Sequence, residues 1–197
     1  MEKNRLEAFS DGVLAIIITI MVLELKQPAG DKLADFWELG TTLLSYLLSF
    51  MFVAIYWVNH HLIFHNVEKV NLKILWCNII WLFVMSFIPF VTAWVGTYPT
   101  SWAPLSIYFG DMFLASVAFH FMYYFIISGC TEKKKFKLNM RSIISLLVYF
   151  LATVLGGFCP IAAFIVVAIV SLWWIIPEKQ KNNNLENHQD SSTSNHI

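Results

Sequence analysis

Arg5, Ser10 and Asp11 open an apolar segment, His60 and His61 close a second, and Asn78 lies a short way into a third. A guanidinium, a hydroxyl, a carboxylate, two imidazoles and a carboxamide have the donors and acceptors for a hydrogen-bonded cluster. Ionisable groups in such segments are costly, so they mark where function sits. His60, His61 and His65 carry a second possibility, because a His-His-x-x-x-His run puts imidazoles at i and i+4, a spacing that suits metal ligation. Asp111 and His120, in a later apolar stretch, are candidates for proton coupling; the plainer reading is a polar pair satisfied inside the bundle.

The elements that hold these groups must be membrane helices. Of 197 residues, 58% are hydrophobic and only 13% charged, more than a water-soluble core could bury. The chain reads as an all-α integral membrane protein. About six stretches are long enough for a hydrocarbon core of ~30 Å at ~1.5 Å per residue. They cover residues 6–25, 36–62, 71–95, 104–129, 141–158 and 160–176, and Gly156, Gly157 and Pro160 turn the last two into a hairpin. Residues 1–176 thus make one membrane domain, and the polar stretch 177–197 reads as a disordered cytoplasmic tail.

With a cytoplasmic N-terminus, every Lys and Arg except Lys26 and Lys32 falls on the inner side, so the positive-inside rule places both termini in the cytoplasm. Glu7 and Asp11 interrupt what would be a signal peptide, and the first helix is expected to stay as a span. Cys77, Cys130 and Cys159 have no paired spacing and read as small buried hydrophobes rather than a disulfide or zinc framework. A net charge of zero gives no reason to expect nucleic acid as a partner; the partner is the lipid bilayer. No internal repeat is evident, so a pore on a symmetry axis would need several copies of the chain.

Arg5, Asp11, His60, His61, Asn71 and Asn78 then share one inner-leaflet slab. A network linking three helices would satisfy groups that are expensive in lipid. The alternative is local: Arg5 and His61 reach the headgroups and Asp11 pairs with Arg5.

On a wheel of ~100° per residue, Phe9, Val13, Ile16, Ile20 and Leu23 form a bulky stripe along the first helix, beside a small-residue stripe of Ala8, Gly12, Ala15 and Thr19. Small residues allow membrane helices to approach closely. The bulky stripe either meets lipid or another helix, or forms stacked apolar rings that gate a pore by dewetting. Thr19 either bonds back to a carbonyl one turn earlier or adds a hydroxyl ring beside the constriction.

Arg5, Phe9, Ser10, Asp11, Val13, Ala15, Ile16, Thr19 and Pro28 reproduce, in order, the first-helix signature of a known family. In these residues the chain resembles the single-repeat bacterial form of the transmembrane protein 175 family of potassium channels. Tyr56-Trp57-Val58-Asn59-His60-His61 with Phe64, Asn71-Leu72 and Phe87-Ile88-Pro89-Phe90 are similar to further family elements. The likeness is strong over the first half; later, mainly Arg141 and Pro160 agree.

The resemblance implies a homotetramer in the bacterial cell membrane, with six helices per subunit, the first lining a central pore. It implies a constriction of large aliphatic side chains at Ile16, Ile20 and Leu23, which coincides with the bulky stripe. Thr19 matches a threonine tied to potassium preference, and Arg5, Ser10, Asp11, Asn78 and one of His60 and His61 match a polar network holding the pore helix. No cofactor is implied beyond permeant K+ and other monovalent cations.

Val95-Gly96-Thr97-Tyr98 lacks the order of a carbonyl selectivity filter. Apolar rings discriminate only by dehydration cost, so modest preference for K+ over Na+ is expected. The competing readings are a membrane metalloenzyme built on His60, His61 and His65, and a proton-coupled transporter using Asp111 and His120.

Overall fold

The computed structural model describes residues 2–65, 67, 70–129 and 139–175. Among them run α1 (Lys3–Leu23), α2 (Leu33–Trp37), α3 (Gly40–His65), α4 (Leu72–Met85), α5 (Ile88–Thr97), α6 (Trp102–Gly129), α7 (Met140–Leu155) and α8 (Pro160–Trp173). Four elements are long and apolar enough to cross a membrane: α1, α3, α4 continued by α5, and α6. Helices α7 and α8 are also apolar but shorter. The tail 177–197, Cys130 and the cations Lys69, Lys133, Lys134, Lys135, Lys137, Lys179 and Lys181 lie outside the described residues.

Local chemistry explains most boundaries. Asn71 caps α4, its side-chain oxygen accepting from the Ile74 amide at 2.9 Å. Proline stands in the first turn of both α5 and α8, where its missing N–H goes unused in any case. The stretch over 71–95, in which Pro89 marks an interruption, turns at Ser86 and Phe87, just ahead of that proline. The short α2, which apolar length alone does not announce, is held by Asp35 Oδ2, which accepts from the Lys32 amide at 3.0 Å.

Long helix α6 packs against α4, α5 and α7, while α1 lies against α3, α4 and α5. Helices α3 and α5 approach closely at Gly96, where an added Cβ would stand 3.0 Å from the Thr42 Cα. The Gly96 carbonyl in turn accepts from the hydroxyls of Thr41 and Thr42, each at 3.2 Å.

Aromatic rings and hydroxyls fill the centre. Trp81 is fully buried, stacks on His60 with centroids 5.1 Å apart, and meets Phe119 edge-on at 5.5 Å. Thr92 donates to the Ile88 carbonyl at 2.6 Å, so it accepts from Ser49 at 2.7 Å, and Ser49 accepts from Tyr108 at 2.9 Å. Each hydroxyl in this chain satisfies the next, as buried polar groups must where no water is at hand. At one end of the bundle, Lys3 Nζ donates to the His65 carbonyl at 3.0 Å and joins the start of α1 to the end of α3.

Candidate functional site

Helix α1 has two unlike faces. Leu6, Ser10, Leu14, Ile17 and Met21 recur every three or four residues and are buried against the bundle. On the other side, Phe9 is 55% exposed, Ile16 58%, Ile20 41% and Leu23 76%. Val13 leaves the expected bulky stripe, because it packs against the core. Ala8, Gly12, Ala15 and Thr19 are exposed as well, and a Cβ built on Gly12 would meet nothing within 4 Å. No helix of the described chain therefore packs on the small-residue stripe.

About two turns inside the start of α1, a buried hydrogen-bonded chain crosses three helices. Ser10 Oγ donates to the Leu6 carbonyl at 2.9 Å, so it can only accept from Asn78 Nδ2, also at 2.9 Å. Asn78 is thereby oriented with Oδ1 toward His60, 2.9 Å from Nε2. A carbonyl oxygen only accepts, so His60 carries its proton on Nε2. Ser10, His60 and Asn78 are each at most 1% exposed. Of the two adjacent histidines, the structure selects His60.

The other expected members stand apart. Asp11 is exposed, and its Oδ1 accepts from Trp57 Nε1 at 2.9 Å rather than from a histidine. Arg5 and His61 are also exposed, and neither side chain bonds to Ser10, Asn78 or His60. The reason is angular: His61 is turned ~100° from His60, and Arg5 falls on the azimuth of Ile16 and Leu23. From sequence alone Trp57 has no role in the network, although an indole N–H in the C-terminal half of α3 is a legible donor.

Thr19 takes the back-bonded form, its hydroxyl donating to the Ala15 carbonyl at 2.8 Å. Val95, Gly96 and Thr97 end the helix α5 and are not an extended strand of outward carbonyls. Asp111 and His120 do not pair. At ~100° and ~1.5 Å per residue they sit on opposite faces of α6, about 13 Å apart along its axis. His120 bonds its own chain at Ser116, and Asp111 is buried with Oδ2 unpartnered among the described residues. Among those residues no group of three or more His, Cys, Asp or Glu side chains is arranged to hold a metal ion. His60 points to Asn78, His61 outward, and the His-His-x-x-x-His run does not converge.

Residues 5–89, which hold most of α1, the Ser10–Asn78–His60 network and the break before Pro89, match the family described as endosomal/lysosomal potassium channel TMEM175. A potassium channel from Chryseobacterium sp. (strain P1-3) is 41% identical over 190 residues, covering 94% of this chain and 99% of that protein. The chain belongs to the TMEM175 family. A further TMEM175 relative, a potassium channel from Streptomyces collinus, is 39% identical over 101 residues, covering 49% of each chain. Among solved structures, that of a lysosomal potassium-selective channel TMEM175 homolog from Chamaesiphon minutus superposes with a TM-score of 0.75 at 26% identity, over 88% of this chain and 96% of that one. These TMEM175 relatives are channels, and the metalloenzyme reading is set aside.

Proposed function

We propose that this chain is one subunit of a homotetrameric, potassium-permeable cation channel whose pathway is lined by α1 and constricted at Ile16, Ile20 and Leu23. One observation carries the reading. A helix buried along one face by its own bundle presents an aliphatic stripe, Ile16, Ile20 and Leu23, with Phe9 below it, that the rest of the described chain leaves uncovered. Lipid alone would accept such a stripe, but the family to which the chain belongs consists of channels. Four copies turned about an axis give the stripe a place where it meets itself and water.

Selectivity in this reading needs no carbonyl filter. The Gly96 carbonyl is taken by Thr41 and Thr42. Rings of isoleucine and leucine offer no oxygens, so each ion crosses partly dehydrated, and K+ loses its shell more readily than Na+. Thr19 adds the one oxygen on this stretch: its proton points to the Ala15 carbonyl, which leaves its lone pairs facing outward. The preference for K+ is accordingly modest. The Ser10–Asn78–His60 chain holds α1 at a fixed rotation, with Asp11 and Trp57 at its edge. Six spans per subunit, termini in the cytoplasm and residence in the cell membrane complete the proposal, with K+ and other monovalent cations as cargo and no cofactor.

Potassium flux from proteoliposomes tests it. Ile16→Ser, Ile20→Ser and Leu23→Ser should each raise basal flux several-fold by wetting the constriction, while Phe121→Ser on the outer face of α6 should not. Equal flux from the wild type and all three stripe variants overturns the pore assignment. Saturating, counter-ion-coupled uptake would favour a transporter instead.

A further inference from the structure

Away from α1, helices α3, α6, α7 and α8 enclose a cavity of about 40 Å³. Its walls carry Asn59, Ser116, His120, Tyr149, Ser171 and Trp174 among aromatic and aliphatic neighbours. Nothing in the conduction pathway uses these residues. A hydrogen-bond account of the walls, donor by donor, determines what could fill the space.

His120 Nδ1 lies 2.7 Å from the Ser116 carbonyl. That carbonyl can only accept, so Nδ1 carries the proton and on the neutral ring Nε2 is an acceptor. Asn59 uses one N–H on the Ile55 carbonyl at 2.8 Å, which leaves its Oδ1 and second N–H over. Tyr56 donates to Ser116 Oγ at 2.6 Å, so the Ser116 proton is also available. Ser171 donates to the Val167 carbonyl at 2.8 Å and accepts from Tyr149 at 3.3 Å, and Trp174 Nε1 donates to Ser145 Oγ at 2.8 Å. Leaving aside the remaining lone pairs of the hydroxyl oxygens, what remains is a mixed set: two acceptors, on His120 and Asn59, and two donors, on Asn59 and Ser116.

A mixed set suits neither kind of ion. A cation would face the two N–H and O–H donors, an anion the two lone-pair acceptors, and there is no side-chain charge to compensate either. Water both donates and accepts, and a site holds it when it offers two to four polar partners and roughly 10–15 Å³ per molecule. The cavity meets both conditions. We propose that it is a hydration site, in which a few waters bridge His120 Nε2, Asn59 and Ser116 and join α3 to α6 through a wet seam that the α7–α8 hairpin covers.

Radiolytic hydroxyl-radical footprinting of the full-length protein in lipid nanodiscs tests this, because radicals formed from bound water oxidise the rings beside it. Tyr149, which lines the cavity, is 3% exposed, and Tyr108, which does not, is 0% exposed, so the two form a matched pair. Tyr149 should be oxidised several-fold faster than Tyr108. In His120→Leu the Tyr149 rate should fall toward that of Tyr108, and in His120→Gln, which restores an acceptor, it should recover. Equal, slow rates for both tyrosines in the wild type overturn the proposal, and that comparison holds even where a variant fails to fold. Fast Tyr149 labelling unchanged in His120→Leu overturns the role given to His120.

Discussion

Trp57 Nε1 donates a 2.9 Å hydrogen bond to Asp11 Oδ1 between two side chains that both face outward, at the edge of the α1–α3 pair. An ionised carboxylate two turns into an apolar helix has few ways to be satisfied, and an indole N–H from the neighbouring helix is one of them. The bond also fixes the rotation of α1, since Asp11 lies between the buried face and the small-residue stripe.

Trp57→Phe removes this donor and keeps the ring. Hydrogen bonds to charged groups contribute about 1.5–3 kcal/mol, less where exposed, so the thermal midpoint in detergent should fall by only about 2–5 °C. In the tetramer reading, the larger effect should fall on assembly, read as a shift from tetramer to smaller species by native mass spectrometry.

Asn78→Leu breaks the chain at its centre. It leaves the His60 Nε2–H buried without an acceptor, a loss of about 1–3 kcal/mol, and should lower the thermal midpoint more than Trp57→Phe does. The double variant Asn78→Leu with Ser10→Ala should be scarcely less stable than Asn78→Leu alone, because both act on one bond. Additive losses would show that Ser10 and Asn78 act separately.

Gly96→Val places a branched side chain where a Cβ already stands 3.0 Å from the Thr42 backbone. Helices α3 and α5 must part, at a cost of about 1–3 kcal/mol from overpacking. Gly12→Ala, which meets nothing within 4 Å, serves as the control with unchanged subunit stability in the monomeric state.

Thr19→Val keeps the shape and removes the oxygen. Its bond is to a carbonyl one turn back, so the fold should be unaffected. In the channel reading, the K+ to Na+ permeability ratio, read from bi-ionic reversal potentials, should drop toward one with conductance retained. An unchanged ratio removes Thr19 from selectivity.

Apolar length was enough to read the four long spans, because membrane helices declare themselves by composition over many residues. The exposed stripe of α1 was legible for a related reason: Ile16, Ile20 and Leu23 share an azimuth whatever they face. His60 and His61 could not be separated that way. They are adjacent and differ only in which one the buried face of α3 includes, a matter settled by the Trp81 ring and Asn78 from other helices. Asp111 and His120 show the opposite failure. Their types suggested a pair, although nine-residue spacing on a helix already turns them apart. The turn at Ser86 and Phe87 was half legible, since Pro89 marked an interruption but not its position.

The α7–α8 hairpin carries a consequence for the surrounding lipid. With 16 and 14 residues, at ~1.5 Å each, these helices reach about 24 and 21 Å, against a hydrocarbon thickness of ~30 Å. Helix α3, with 26 residues, has length to spare. In the six-span reading, acyl chains around one subunit face tall walls on one side and a low wall on the other, and the bilayer pinches toward the hairpin at a cost of fractions of a kcal/mol per ångström. Such a dimple is a mechanical coupling: thin or stretched membranes relieve it, thick and ordered ones deepen it, and the lipid in which this protein sits becomes a force on its fold.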